Sequence, residues 1–211
     1  TSAAKFISEV LIATDDERIA DHARSFGARV VMTASGHPSG TDRCYEAYRI
    51  NGREHDYVIN VQGDEPFLHP AQIESLAAAC KSPVEIATQM IRCNDPQVLA
   101  DTGEVKIVLN KNNEALYFSR NVIPHIKNVN PGNWHQHHTY FRHVGMYAYR
   151  SDVLSAIAGL SPSSLEKAES LEQLRWLENG YRITCVETEY DSHCVDTPED
   201  IEKVIRLMNI Q

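Results

Sequence analysis

The stretch Tyr57-Val58-Ile59-Asn60-Val61-Gln62-Gly63-Asp64-Glu65-Pro66 decides how this chain is read. An apolar run ending in a glycine turn with two carboxylates is how an open α/β sheet presents acids at the carboxyl edge of a strand, where ligands of such sheets bind. The segment predicts a strand over residues 57–62 and places Asp64 at a metal-dependent site for a phosphorylated substrate. Gly and Asp are also ordinary turn residues, so these positions alone leave a plain turn open.

Upstream, residues 9–14 (EVLIAT) read as a buried strand, followed by Asp15-Asp16 at a helix N-cap and apolar positions Ile19, Ala20, Ala23 and Phe26 closed by Gly27. Residues 28–33 (ARVVMT) read as a second strand, giving a βαβ opening whose natural product is a parallel sheet. The Gly/Ser/Pro-rich residues 36–43 (GHPSGTDR) are read as a loop leading into a helix over residues 44–50. Downstream, a helix is expected over 70–80 and strands over 85–91, 105–109, 141–150 and 183–188, with residues 115–120 (ALYFSR) given no element. Between them, residues 121–138 form a polar Asn/His/Pro-rich segment, read as a mobile loop and an excursion from the sheet. Residues 163–179 read as one helix with a Ser163/Glu166 capping box and Gly180 at its end. Thr197-Pro198-Glu199-Asp200 opens a last helix.

Composition sets the outer limits. With 211 residues, 42% of them hydrophobic, the chain can bury the core of a single domain. A net charge of -9 provides no basic stripe, which argues against a nucleic-acid partner and requires local Arg, Lys or metal to meet anions. The five cysteines are odd in number and lack close CxxC pairing, which fits reduced thiols in a cytoplasmic protein. No apolar run reaches the roughly 18 residues of a membrane span, and no signal peptide is visible.

Several positions bear on chemistry. Asp196 precedes the Thr197 cap and, with Asp64, offers two oxygen ligands from distant parts of the chain, a set that suits Mg²⁺. Helix-cap electrostatics would equally account for Asp196. The 36–43 segment offers backbone N–H groups, hydroxyls and a guanidinium ahead of a helix, a nucleotide contact surface or a solvated connection. His143 and Tyr147 share a strand face of period two. Glu172 and Gln173 lie among Leu171, Leu174 and Leu177, so one of them borders the apolar stripe. The cluster Trp134, His135, His137 and His138 matches no closed zinc ligand set.

The series ATDD (13–16), HPSGTDR (37–43), NVQGDEP (60–66), ALYFSR (115–120), HVGMYAYR (143–150), LEQLR (171–175) and VDTPEDIE (195–202), in this order across the chain, resembles the CMP-Kdo synthetase family, the 3-deoxy-manno-octulosonate (Kdo) cytidylyltransferases. The resemblance implies an α/β sandwich of the nucleotide-diphospho-sugar transferase type with a mostly parallel central sheet. It implies one domain over residues 1–211, with a sugar-facing and dimerisation excursion at about 115–160, and a homodimer. The implied reaction couples CTP to Kdo with release of pyrophosphate, for lipopolysaccharide assembly. By resemblance Asp64 and Asp196 hold Mg²⁺ and are catalytic. Ser39, Gly40, Thr41 and Arg43 line the cytidine site, and Gln62, Arg120, His143, Tyr147, Glu172 and Gln173 face the sugar acid. The ion would neutralise the triphosphate and lower the pKa of the attacking hydroxyl.

Two departures stand out. The family's opening strand, Pro-Ala-Arg segment and Pro-Gly-Lys-Pro phosphate cradle lie upstream of Thr1, so the resemblance implies roughly 30 to 40 further N-terminal residues in the native protein, the length of a strand, a loop and most of a helix. Thr102-Gly103-Glu104 also stands where the family more often carries Asn and Pro. A CMP-sialic acid synthetase shares fold and reaction type but not the HVGMYAYR and LEQLR patterns. A non-catalytic, dimeric relative that lost its phosphate loop is the reading from a different class.

Overall fold

The computed structural model describes residues 4–65, 68–191, 195, 202 and 205. It is an α/β structure organised by one long strand. In chain order the first elements are β1 (Ile12–Thr14), α1 (Glu17–Ser25), β2 (Val30–Met32), α2 (Gly40–Asn51), β3 (Tyr57–Asn60) and α3 (Pro70–Ala79). They are followed by β4 (Ile86–Cys93), α4 (Pro96–Ala100), β5 (Lys106–Leu109) and β6 (Ala115–Ser119). The chain continues through α5 (Trp134–His137), β7 (Tyr140–Arg150), α6 (Ser151–Ile157), α7 (Ser164–Glu169), α8 (Gln173–Glu178) and β8 (Ile183–Glu187). Of the helix expected from residue 197, the described residues include only Glu202 and Ile205, both helical.

β1 and β2 pair in parallel, as the βαβ reading requires, and form a two-stranded unit. A six-stranded mixed sheet carries the rest, with β4 and β8 parallel and β7 antiparallel to its neighbours. β4 lies along one edge of β7. The other edge is shared, by β3 opposite residues 147–150 and by β5 opposite 141–142. β3 and β5 therefore part where β7 bulges, Thr88 pairing with Tyr147 and the next residue, Gln89, with Val144. Such a split in a sheet edge makes a crevice.

Alternation on β7 feeds two cores. Tyr147 and Tyr149 join Ile86, Ile183, Leu154, Leu174 and Trp176 under α6 and α8, whereas Met146 and Ala148 join Ala87, Ile73 and Leu76 under α3. Helices on both faces of the sheet give the sandwich that the sequence implies.

Several helix ends follow the residues that mark them. Asp16 caps α1 by accepting from Arg18 N, and Gly27 follows at φ +81, open to glycine without strain. Two boundaries differ from the sequence reading. α2 begins at Gly40, not Cys44, because the Ser39 hydroxyl accepts from Asp42 N and already caps it. The expected single helix over 163–179 is broken into α7 and α8. Ser170 takes the left-handed conformation (φ 54), and the carbonyls of Glu169 and Ser170 accept from Arg120 Nε (2.9 Å) and Nη2 (3.5 Å). The capping box of Ser163 and Glu166 is present, and Arg175 binds Glu166 back across the break at 2.5 and 2.7 Å.

The polar segment over 121–138 is locally built and not the mobile loop its composition suggests. A short 3-10 turn, Pro131–Asn133, leads into α5, and the Trp134 indole donates to Val129 O and packs with Cys93, Leu99 and Tyr140. The α4 and α6 helices, absent from the sequence reading, are short and begin at Pro96 and Ser151. Among the described residues no helix is long and apolar enough to cross a membrane.

Candidate active site

The crevice is walled by the end of β3, the N-terminus of α2, the bulge of β7 and the α7–α8 break. Asp64 is exposed just beyond β3, and its carbonyl accepts from Val195 N at 2.9 Å. The next residue, Asp196, lies outside the described residues. Asp64 makes no ion pair among the described residues. Glu65 turns inward, and a Cβ on Gly145 would sit 3.4 Å from its Oε1, so the strand end passes close under the bulge.

Ser39, Gly40, Thr41 and Arg43 belong to the cap and first turn of α2. A Cβ on Gly40 would meet Asn60 Nδ2 and Gln62 Oε1, each at 3.5 Å, which places Gln62 beside the helix start. Arg43 Nη1 binds Asp15 (2.9 Å) and Thr33 Oγ1 (2.7 Å), tying α2 to the carboxyl ends of β1 and β2.

Thr41 is buried and central. Its hydroxyl donates to Glu172 Oε2 at 2.8 Å and lies 3.2 Å from Tyr149 Oη. Glu172 stands just before α8, not mid-helix as the sequence reading had it, because the chain breaks at Ser170. Burial pushes its carboxyl above the usual range, opposed by the hydrogen bonds from Thr41 and Ser39. The nucleotide-side and sugar-side residues of the sequence reading thus meet at one hydrogen bond. Gln173, the first residue of α8, is buried.

His143 and Tyr147 do share a face of β7, with ring centroids 5.2 Å apart. His143 Nε2 lies 2.9 Å from Thr88 Oγ1, and burial, with Arg142 alongside, holds the imidazole down to about 3. The ring is therefore neutral at working pH and serves as a hydrogen-bonding group, not a proton donor of the imidazolium type. The Tyr147 hydroxyl is buried with no hydrogen bond, its ring stacked on Tyr149 and edge-on to Trp176. Burial raises both phenols well above their ordinary value, so they stay protonated. An unpaired buried hydroxyl is costly, and a ligand that supplies its partner recovers that cost.

Arg120 closes the far wall. Besides Glu169 O and Ser170 O it reaches Thr102 O (3.2 Å) and Gly103 O (3.4 Å), while the Glu169 carboxylate accepts from Ser119 Oγ and Arg120 N. The departure at Thr102-Gly103-Glu104 is thereby built into the site's wall. Lys106 is fully buried beneath it, its ammonium held by Asp101 O and Glu104 O at 2.6 Å each.

Sequence reasoning did not single out Thr88, Tyr149 or Asn60. Tyr149 follows Tyr147 by two on the same strand, a signal that period-two reading contains. Thr88 carries no signal, since only the bulge opposite it gives it three polar neighbours.

The cytidylyltransferase family model matches residues 1–183. A 3-deoxy-manno-octulosonate cytidylyltransferase of Cytophaga hutchinsonii is 49% identical over 199 residues, covering 94% of this chain and 80% of that protein. The protein of that name from Parabacteroides distasonis is 48% identical, covering 96% and 82%. Among solved structures, CMP:2-keto-3-deoxy-manno-octonic acid synthetase complexed with CTP superposes with a TM-score of 0.89 at 38% identity, over 98% of this chain and 83% of the other.

Proposed function

From the premise that this chain belongs to the 3-deoxy-manno-octulosonate cytidylyltransferase family, we infer that it transfers CMP from CTP to Kdo, giving CMP-Kdo and pyrophosphate. A place for the product in lipopolysaccharide assembly is proposed with it, as the name of the relatives implies. The observation that carries the site assignment is the Thr41–Glu172 hydrogen bond, which joins the first turn of α2 to the segment entering α8 beside His143 and Tyr147.

The reaction needs the anomeric hydroxyl of Kdo to attack the α-phosphorus as the bond to pyrophosphate breaks, so positioning and charge stabilisation dominate. The cytidine end is assigned to Ser39, Gly40, Thr41 and Arg43, at the positive end of α2. The sugar acid is assigned to Gln62, Arg120, His143, Tyr147, Glu172 and Gln173. His143 and Tyr147 orient hydroxyls as neutral partners, and Arg120 supplies positive charge near the acid function. With its guanidinium held by backbone carbonyls, Arg120 is preorganised.

Mg²⁺ is proposed at Asp64 together with Asp196. Asp64 fits, being an exposed hard oxygen donor at the crevice rim, with the chain that continues into Asp196 bonded to its carbonyl through Val195. When bound, the ion would neutralise phosphate charge and acidify the attacking hydroxyl. We also propose a homodimer through the excursion at about 115–160, supported by the 61% exposed Leu116 on β6. A cytoplasmic setting is supported by the free thiols Cys44, Cys80, Cys93 and Cys185.

Pyrophosphate release from CTP with Kdo, with N-acetylneuraminate and with no acceptor tests the activity. Kdo-dependent release is expected, abolished in Asp64→Asn with the circular dichroism spectrum unchanged. Release with N-acetylneuraminate and not Kdo, or wild-type turnover by Asp64→Asn at saturating Mg²⁺, refutes the assignment.

A further inference from the structure

Thr88 is fully buried, and its hydroxyl sits among three hydrogen-bonding groups and the Tyr147 phenol, whose pKa burial raises and Thr88 acts to lower. Met146 O lies at 2.9 Å, Val144 O at 3.5 Å and His143 Nε2 at 2.9 Å from Oγ1. The β7 bulge is what gathers them, because residues 145 and 146 loop out between the Gln89 and Thr88 pairings. Met146 O can only accept, and giving it the Thr88 proton leaves Oγ1 to meet the imidazole with a lone pair, the arrangement in which Nε2 carries the hydrogen. The ring is neutral, which leaves Nδ1 with a lone pair and, among the described residues, without a partner. Beside it the Tyr147 phenol is shielded from solvent and makes no hydrogen bond.

We propose that Thr88 is a positioning residue that fixes His143 as its Nε2-protonated tautomer, so that Nδ1 accepts a hydrogen bond from a hydroxyl of the sugar acid. The inference rests on the reading that His143 faces that substrate. An accepting Nδ1 next to a phenol in need of a partner suits adjacent hydroxyls on a polyhydroxy acid.

The tautomer is read directly by long-range ¹H–¹⁵N correlation on histidine-labelled protein, with His143 assigned from the signals lost in His143→Gln. Wild type and Thr88→Ser are expected to show His143 protonated on Nε2, and Thr88→Val a mixture of tautomers. In parallel, Thr88→Val should raise the KM for Kdo by about 3- to 10-fold, the scale of one lost neutral hydrogen bond, with the KM for CTP unchanged and Thr88→Ser restoring it. A wild-type His143 protonated on Nδ1 overturns the proposal, and so does an unchanged KM for Kdo in a folded Thr88→Val. If His143→Gln itself leaves the KM for Kdo unchanged, the sugar-site reading falls and this inference with it, whereas the wild-type tautomer bears on Thr88 alone.

Discussion

Arg175→Met isolates the bond that holds the α7–α8 break in place. Arg175 and Glu166 have side chains only 7% and 14% exposed, joined by two hydrogen bonds at 2.5 and 2.7 Å, and Arg175 Nη1 also reaches Leu160 O at 3.2 Å. Removing one partner of a buried pair leaves an uncompensated charge and costs about 3 to 5 kcal/mol. Glu166 keeps its bond from Ser163 N, so the low end, about 3 kcal/mol, is expected. At a urea slope of about 2 to 3 kcal/mol/M that lowers the unfolding midpoint by about 1 to 1.5 M. Glu166→Leu combined with Arg175→Met removes both charges of that pair, leaving only the longer 4.0 Å contact of Glu172 with Arg175 unreplaced, and should recover part of the loss. The pH dependence has a definite sign. The Arg175 hydrogen bonds hold the Glu166 carboxyl below its ordinary 4.5, so the stability it contributes is complete above that value and is lost as the pH falls through the folded one. The gap between wild type and Arg175→Met should accordingly narrow in acid. A single variant within about 0.5 kcal/mol of wild type, or a double variant as unstable as the single, refutes the reasoning.

Two further outcomes follow from the site. Burial raises the Glu172 carboxyl, so its ionised form opposes folding above the folded pKa and the penalty is relieved as the pH falls through it. Glu172→Gln should therefore raise the unfolding free energy at pH 7.5 by on the order of 1 kcal/mol, read as a higher urea midpoint, while weakening Kdo binding, which the KM measures. Tyr147→Phe removes a hydroxyl that has no hydrogen bond, so it should leave stability unchanged or improved and raise the KM for Kdo several-fold to about tenfold, with the KM for CTP unmoved. Equal effects on both substrates would assign Tyr147 a packing role.

Apart from β6, the strands were legible because each is a short apolar run with its own turn signals. Asp16, Ser163 and Gly27 mark helix ends through chemistry local to the chain. Residues 163–179 were misread for the opposite reason. Nothing within that segment breaks a helix, and it is Arg120 and Ser119, some fifty positions away, that draw the Glu169 and Ser170 groups out of the helical ladder. Likewise, Gly40 to Arg43 read as loop because the Gly-Thr pair hid a cap at Ser39. The shared face of His143 and Tyr147 was recoverable from strand period. The Thr41–Glu172 bond, which spans 131 residues, is a product of packing that no local pattern encodes.

The Arg120 clasp also bears on the order in which the chain folds. Its partners are separated by 49 residues, and closing a loop of that length costs roughly 3 to 4 kcal/mol of chain entropy before any contact is gained. If β5 and β6 must already be joined to β7 for the clasp to have a fixed frame, the left-handed turn at Ser170 forms after the sheet and not with α7. Until then residues 163–179 are free to run as the uninterrupted helix their own sequence favours. Pulsed hydrogen exchange would record this as amide protection along β4 and β7 preceding that of Arg120, whose N–H binds the Glu169 carboxylate. The wall proposed to bind the sugar acid would then be the last part of the molecule to acquire its native shape, and its residues would shape unfolding rates more than folding rates.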